Sequence, residues 1–94
     1  MRDTWVVPAD LPVLAGHFPG RPIVPGVVLL DRVLRLAARS TGRESGWRVD
    51  NAKFFQPVGP GAELVFEITL RPSGALAFTV RCQGRDVAAG TLHG

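Results

Sequence analysis

Apolar and polar residues alternate through two segments in the second half of the chain, Ala62 to Arg71 and Ala75 to Cys82, with Val65 as the exception. A period of two is typical of strands that bury one face. The turn sequence Pro72-Ser73-Gly74 lies between the segments and predicts a hairpin. The predicted buried faces comprise Leu64, Phe66, Ile68 and Leu70 in the first strand and Leu76, Phe78, Val80 and Cys82 in the second.

Two further segments have the β-branched and aromatic content of strands. Thr4 to Val7 predicts a short strand that ends at Pro8, and Trp47 to Val58 predicts a longer one. Phe54-Phe55 interrupts the alternation within the longer segment, so we expect that strand to bend.

A weaker pattern from Arg85 to Leu92 follows the turn sequence Gln83-Gly84 and predicts the last strand. Gly90 is a candidate bulge within it, because an isolated glycine in a strand often marks one. His93 stands one residue from the end of the chain, where we expect a frayed tail.

Residues 27 to 39 have a different pattern, in which apolar residues dominate and a few polar ones recur three or four positions apart. This spacing predicts a helix, and Gly42 is suited to end it. Asp31, Arg35 and Arg39 stand four apart and fall on one narrow stripe. Since so few positions are polar, we expect the helix to be almost entirely buried.

The order of these elements predicts an α+β fold of two layers. A strand is followed by a long loop, one apolar helix and four antiparallel strands, so that a single helix packs on a single sheet. The 94 residues are expected to form one domain, 1–94. A chain this small buries a modest fraction of its surface, and with 46% apolar residues it would gain from oligomerisation.

Composition narrows the possible partners. The formal net charge is +3 and Lys53 is the only lysine among eleven basic residues. This charge fits either a solvated surface or a patch for an acidic partner, whereas no basic run with interleaved aromatics supports nucleic-acid binding. The N-terminus lacks an apolar signal core, and no apolar run approaches the length of a membrane span, so we expect a cytoplasmic protein without a membrane partner.

The residues that bind metals and cofactors are scarce. Cys82 is the only cysteine, which excludes an internal disulfide, and the two histidines have no ligand-like spacing. No phosphate-binding glycine loop is present either. We therefore expect neither a metal nor another cofactor.

The segment from Gly16 to Gly26, Gly-His-Phe-Pro-Gly-Arg-Pro-Ile-Val-Pro-Gly, has the strongest chemical signal. Its three prolines and three glycines predict a shaped loop rather than a helix or central strand. His17 can exchange protons near neutral pH. Gly26 falls at the predicted helix N-terminus, where backbone N–H groups can hold a polarised carbonyl oxygen. Together with Asp31 these groups suit removal of a proton next to a carbonyl.

This motif resembles the active-site motif of the β-hydroxyacyl-acyl carrier protein dehydratases. The glycine follows His17 by nine positions and the acidic residue follows it by fourteen, the spacings of that family. The chain is similar to short, dehydratase-like members. The resemblance implies a hot-dog fold, in which the sheet wraps the helix, and a homodimer with a continuous sheet across two subunits.

The resemblance also implies roles for individual residues. His17 is the base that takes the α-proton of a 3-hydroxyacyl thioester on acyl carrier protein, and Asp31 of the other subunit is the acid. The Gly26 N–H binds the thioester carbonyl. The residues expected to line a substrate tunnel are Phe18, Leu30, Phe54 and Phe55.

Each role has a structural alternative. His17 could hydrogen-bond only to its surroundings, Gly26 could merely begin the helix, and Asp31 could pair with Arg35 on the helix surface. The family often has Gln where this chain has Arg35. A guanidinium beside Asp31 favours the ionised carboxylate, which weakens a simple acid role.

Two other functions stay open for the same fold. An acyl-thioester hydrolase would hold the carbonyl at the helix N-terminus while Asp31 directs water. A non-catalytic acyl-binding subunit would bind the carrier without turnover.

Overall fold

The computed structural model describes residues 1–10 and 23–94, which form one helix and five strands. His17, Phe18 and the rest of the loop from 11 to 22 lie outside the described residues. The elements are β1 (Arg2–Val6), α1 (Gly26–Thr41), β2 (Arg48–Phe54), β3 (Glu63–Leu70), β4 (Leu76–Cys82) and β5 (Arg85–His93).

The five strands form one antiparallel sheet in the order β1-β3-β4-β5-β2. The hairpin predicted at Pro72-Ser73-Gly74 is present, and the Arg71 N–H donates to the Ala75 carbonyl at 2.8 Å across it. The first and second strands in the sequence, β1 and β2, therefore occupy opposite edges of the sheet.

The helix packs across one face of this sheet. Its buried residues are Leu29, Val33, Leu36 and Ala37. The alternation in β3 and β4 is confirmed, because every second residue on the side of the helix is buried, among them Leu64, Phe66, Ile68, Leu76, Phe78 and Val80. Leu70 is exposed at the end of β3, and Cys82 is half-buried at the end of β4.

The helix begins one residue earlier than predicted and ends two residues later. Gly42 ends it, as expected, in the left-handed conformation with φ of 79°, and its N–H donates to the Ala38 carbonyl at 2.8 Å. Glycine adopts this conformation without the steric cost that a Cβ brings.

The expectation of an almost entirely buried helix is wrong for the single chain. Val27 is 69% exposed, and the stripe of Asp31, Arg35 and Arg39 is exposed as well. The reason is geometric, because one sheet can cover only one side of a helix. Covering the other side would take another molecule or a further part of the chain.

Two details of the last strands also differ from expectation. One irregularity lies opposite Gly90, where Asn51 and Ala52 of β2 face this single residue, so the bulged strand is β2 and not β5. The other lies in β5 next to Val87. A Cβ at Gly90 would lie 2.7 Å from the Phe78 ring, so this glycine permits close packing. His93 is not frayed, since it pairs with Arg48 at the end of β5.

Candidate active site

The N-terminus of α1 is defined by the Pro25-Gly26 sequence. Pro25 is the N-cap, with extended dihedral angles (φ −60°, ψ 144°), and its carbonyl accepts a hydrogen bond from the Val28 N–H at 3.0 Å. No side chain caps this helix end in the described part of the chain. The first N–H groups of a helix have no intrahelical acceptor and carry its positive dipole. This end of α1 can therefore accept a carbonyl oxygen or an anion.

An apolar cavity of about 440 Å³ opens beside this helix end. Backbone hydrogen bonds fix its walls, since the Val24 N–H donates to the Val58 carbonyl and the Phe55 N–H to the Val87 carbonyl, each at 2.8 Å. The lining residues are Ile23, Val24, Gly26, Leu29, Phe54, Phe55, Gln56, Pro57 and Val58.

Three of the residues expected at the substrate site line this cavity together. Phe54 and Phe55 are 49% and 55% exposed, and the Phe54 ring lies directly against Gly26. Leu30 does not line the cavity; it is half-buried and packs against the core. The adjacent Leu29 takes its place, because consecutive helix residues point about 100° apart.

Asp31 lies in a different opening. It lines a polar groove of about 610 Å³ along the outer side of the helix. Asp31 follows Gly26 by five positions, so on a helix of 3.6 residues per turn they point about 140° apart. Within one chain the structure does not bring the candidate acid to the cavity at the helix N-terminus.

Asp31 pairs with Arg35, whose Nε donates to Asp31 Oδ2 at 2.9 Å. Both side chains are more than half exposed, at 58% for Asp31 and 71% for Arg35. The expectation of an almost entirely buried helix is therefore wrong at Asp31 too, because none of the described residues covers this side of the helix in the single chain. The intrahelical ion pair considered from the sequence is present.

Other side chains that line the polar groove connect the helix to β1. Arg39 donates to Asp3 at 2.7 Å, and this hydrogen bond holds the pKa of the Asp3 carboxyl below its ordinary value of 3.8. The Arg32 guanidinium lies 4.2 Å from the centre of the Trp5 ring, a cation–π contact. Burial lowers the pKa of Arg32, although an arginine remains charged at any physiological pH.

The described residues contain no group of three or more candidate metal ligands. Among the same residues, α1 is too short and too polar to cross a bilayer. Within the described ranges, the candidate site therefore includes neither a metal-ligand cluster nor a membrane-spanning helix.

Solved structures of similar architecture define the class of protein: the chain has the hot-dog fold. A chain of the ApeI:P dehydratase heterocomplex from Xenorhabdus doucetiae matches with a TM-score of 0.81, covering 97% of this chain and 82% of that one at 26% identity. The (R)-hydratase from A. caviae involved in PHA biosynthesis matches with a TM-score of 0.71, covering 98% and 89% at 19% identity. At that lower identity the second likeness shows the fold alone.

The family follows from the sequence comparison. The ApeI-like family model, described as ApeI dehydratase, matches residues 2–91, and the chain belongs to this family. It is also similar to the 3-hydroxyacyl-[acyl-carrier-protein] dehydratase FabZ of two bacteria. The identity is 38% over 79 residues with the Klebsiella pneumoniae protein, covering 73% of this chain and 52% of that relative. It is 31% over 87 residues with the Rhizobium rhizogenes protein, covering 84% and 55%. The chain thus spans about half the length of these curated relatives.

Proposed function

We propose that the chain is a dehydratase acting on a (3R)-3-hydroxyacyl thioester carried by acyl carrier protein. The product is the trans-2-enoyl thioester, for fatty acid or specialised lipid synthesis. The observation that carries this proposal is the apolar cavity that ends at the N-terminus of α1. An acyl chain fits an apolar cavity, and its thioester carbonyl fits the helix end. Membership of a dehydratase family supports the same reaction.

The proposed reaction is an elimination. His17 takes the proton from C2, and the electron pair left there forms the C2–C3 double bond as the C3–O bond breaks. The leaving hydroxyl takes a proton from Asp31, directly or through water, and departs as water. The Gly26 N–H stabilises the negative charge that develops on the thioester oxygen.

A complete site would need two subunits. Asp31 and the cavity at Gly26 point about 140° apart around one helix, so a second copy is the simplest source of the missing half. β2 lies at an edge of the sheet and presents backbone groups that could pair with the same strand of another copy. We therefore propose a homodimer in which His17 and Gly26 of one subunit meet Asp31 of the other.

The proposal also concerns the carrier protein, the location in the cell and the partner chain. Acyl carrier protein is acidic, and the exposed Arg48 and Lys53 on β2 suit such a partner. The cytoplasmic location expected from the sequence belongs to the proposal too. The similar structure from Xenorhabdus doucetiae is a heterocomplex, so a second dehydratase-like chain is the alternative partner.

The test is turnover by the purified protein. We would incubate it with 3-hydroxyacyl and trans-2-enoyl thioesters on acyl carrier protein and follow loss or gain of water by mass spectrometry. Activity should disappear in His17→Ala and in Asp31→Asn, and persist in the control Glu44→Gln, a carboxylate of the same groove. Equal activity of Asp31→Asn and the wild type would remove Asp31 from the reaction.

The hydrogen bond between Arg35 and Asp31 favours one second candidate, thioester hydrolysis. This hydrogen bond engages Oδ2 of Asp31 and orients the carboxylate, whose other oxygen could then accept a hydrogen bond from an attacking water molecule. Release of free thiol from an acyl thioester, without water loss from a 3-hydroxyacyl substrate, would identify a hydrolase. If the protein binds an acyl carrier and neither product forms, it would instead be a non-catalytic acyl-binding subunit.

A further inference from the structure

We infer that the Phe54 ring controls access to the N-terminus of α1 and thereby selects which acyl groups reach it. The inference rests on the proposed function, since it concerns the same cavity. Its starting point is one contact: a Cβ built on Gly26 would lie 2.8 Å from Cζ and 2.9 Å from Cε1 of Phe54. The ring therefore covers the Cα of the first helix residue.

The backbone of Phe54 is held in the sheet, whereas its side chain lies partly in solvent. Phe54 is the last residue of β2 and pairs with Ala88 of β5, which is fully buried. Its side chain nevertheless remains 49% exposed, so solvent lies on the side of the ring away from the helix. Rotation about the side-chain bonds would swing the ring off Gly26 without disturbing the sheet.

Phe55 provides a contrast within the same cavity. It is equally exposed and also lines the cavity, but the three heavy atoms nearest to a Cβ on Gly26 all belong to Phe54. Phe55 therefore lines the cavity farther from Gly26, whereas Phe54 lines it beside the position proposed for the thioester carbonyl.

As a consequence, Phe54 discriminates among acyl groups by their shape close to the thioester. A carbonyl bound at the Gly26 N–H places the first carbons of the acyl chain beside the Phe54 ring. A straight chain can pass along the face of an aromatic ring, whereas a methyl branch at C4 would need the same space. We conclude that Phe54 favours acyl groups that are unbranched near the carbonyl.

The experiment compares a straight 3-hydroxyacyl thioester with its 4-methyl analogue on Phe54→Ala and Phe55→Ala. The ratio of kcat/KM for the branched over the straight substrate should rise about 10-fold or more in Phe54→Ala, the usual effect of one methyl group in an apolar pocket. Phe55→Ala should weaken both substrates alike and leave the ratio as in the wild type. An unchanged ratio in Phe54→Ala, or the same rise in both variants, would overturn the inference.

Two additions keep the result interpretable. Phe54→Leu retains more of the apolar contact and should give an intermediate ratio if Phe54→Ala fails to fold. If the wild type turns over neither substrate, the proposed function fails. The inference is then decided by titration calorimetry with straight and 4-methyl-branched acyl thioesters of N-acetylcysteamine. A binding preference that is the same in Phe54→Ala and the wild type would overturn it.

Discussion

At the scale of single residues, Gly26 combines close contact with an aromatic ring and a place at the start of the helix. The absence of a Cβ lets the tip of the Phe54 ring approach the helix end, and it also leaves room for a ligand to approach the backbone N–H. A substitution here would affect both features, so one variant alone cannot separate them.

We predict that Gly26→Ala lowers kcat/KM by up to about 100-fold, because the new methyl group displaces Phe54 and misplaces the carbonyl. The measurement is steady-state dehydration kinetics. The double variant Gly26→Ala/Phe54→Leu removes the steric conflict with the ring. Full recovery in the double variant would mean that Gly26 serves packing alone.

Arg35 is the second residue of interest, because its partner Asp31 is the candidate acid. For a single chain, in which both side chains are exposed, we predict that Arg35→Gln changes the free energy of unfolding by less than about 0.5 kcal/mol, the usual value for an exposed pair within a helix. Urea denaturation of the variant and the wild type would measure it. A loss of several kcal/mol would indicate that an assembled protein buries the pair.

At the scale of elements, β1 pairs with β3 in the sheet and also contacts the helix through charged side chains. Asp3 accepts a hydrogen bond from Arg39, and Trp5 stacks with Arg32. A carboxyl whose pKa is depressed in the folded protein stabilises it above the ordinary pKa, and this stabilisation is lost as pH falls through the lower, folded value.

We therefore predict that the acid destabilisation of the wild type includes a contribution from Asp3 that begins below about pH 4. Asp3→Asn should lower stability at neutral pH and flatten the decline of melting temperature with acid. Thermal melts at a series of pH values would measure both effects. Arg39→Gln should reproduce them; if it leaves the acid decline unchanged, Asp3 does not depend on this partner.

The helix shows how far an element can be predicted from its own sequence. Its extent and its end at Gly42 follow from local composition, since apolar spacing and a C-terminal glycine act within a few residues. Its burial does not follow, because Asp31, Arg35 and Arg39 are exposed or covered according to what lies on the outer side. Counting polar positions overestimated the buried fraction.

At the scale of the whole molecule, the separation of the two openings leads to a prediction about assembly. If each site takes His17 from one subunit and Asp31 from the other, a mixed dimer of the two single variants has one intact site. Random mixing of His17→Ala with Asp31→Asn should then restore up to about a quarter of wild-type activity. Dimer formation would be checked by sedimentation, and mixed dimers that stay inactive would rule out shared sites.

The sequence by itself determined the α+β class, the order of the elements and the family. These depend on hydrophobic period, turn residues and a loop motif, each of which is a local property. The cavity that joins Gly26 to Phe54 and Phe55, and the exposure of Asp31, were decided only by the tertiary structure. They depend on how the helix is rotated against the sheet and on which strand lies at the edge of the sheet. Contacts between residues distant in sequence determine both the rotation and the strand order.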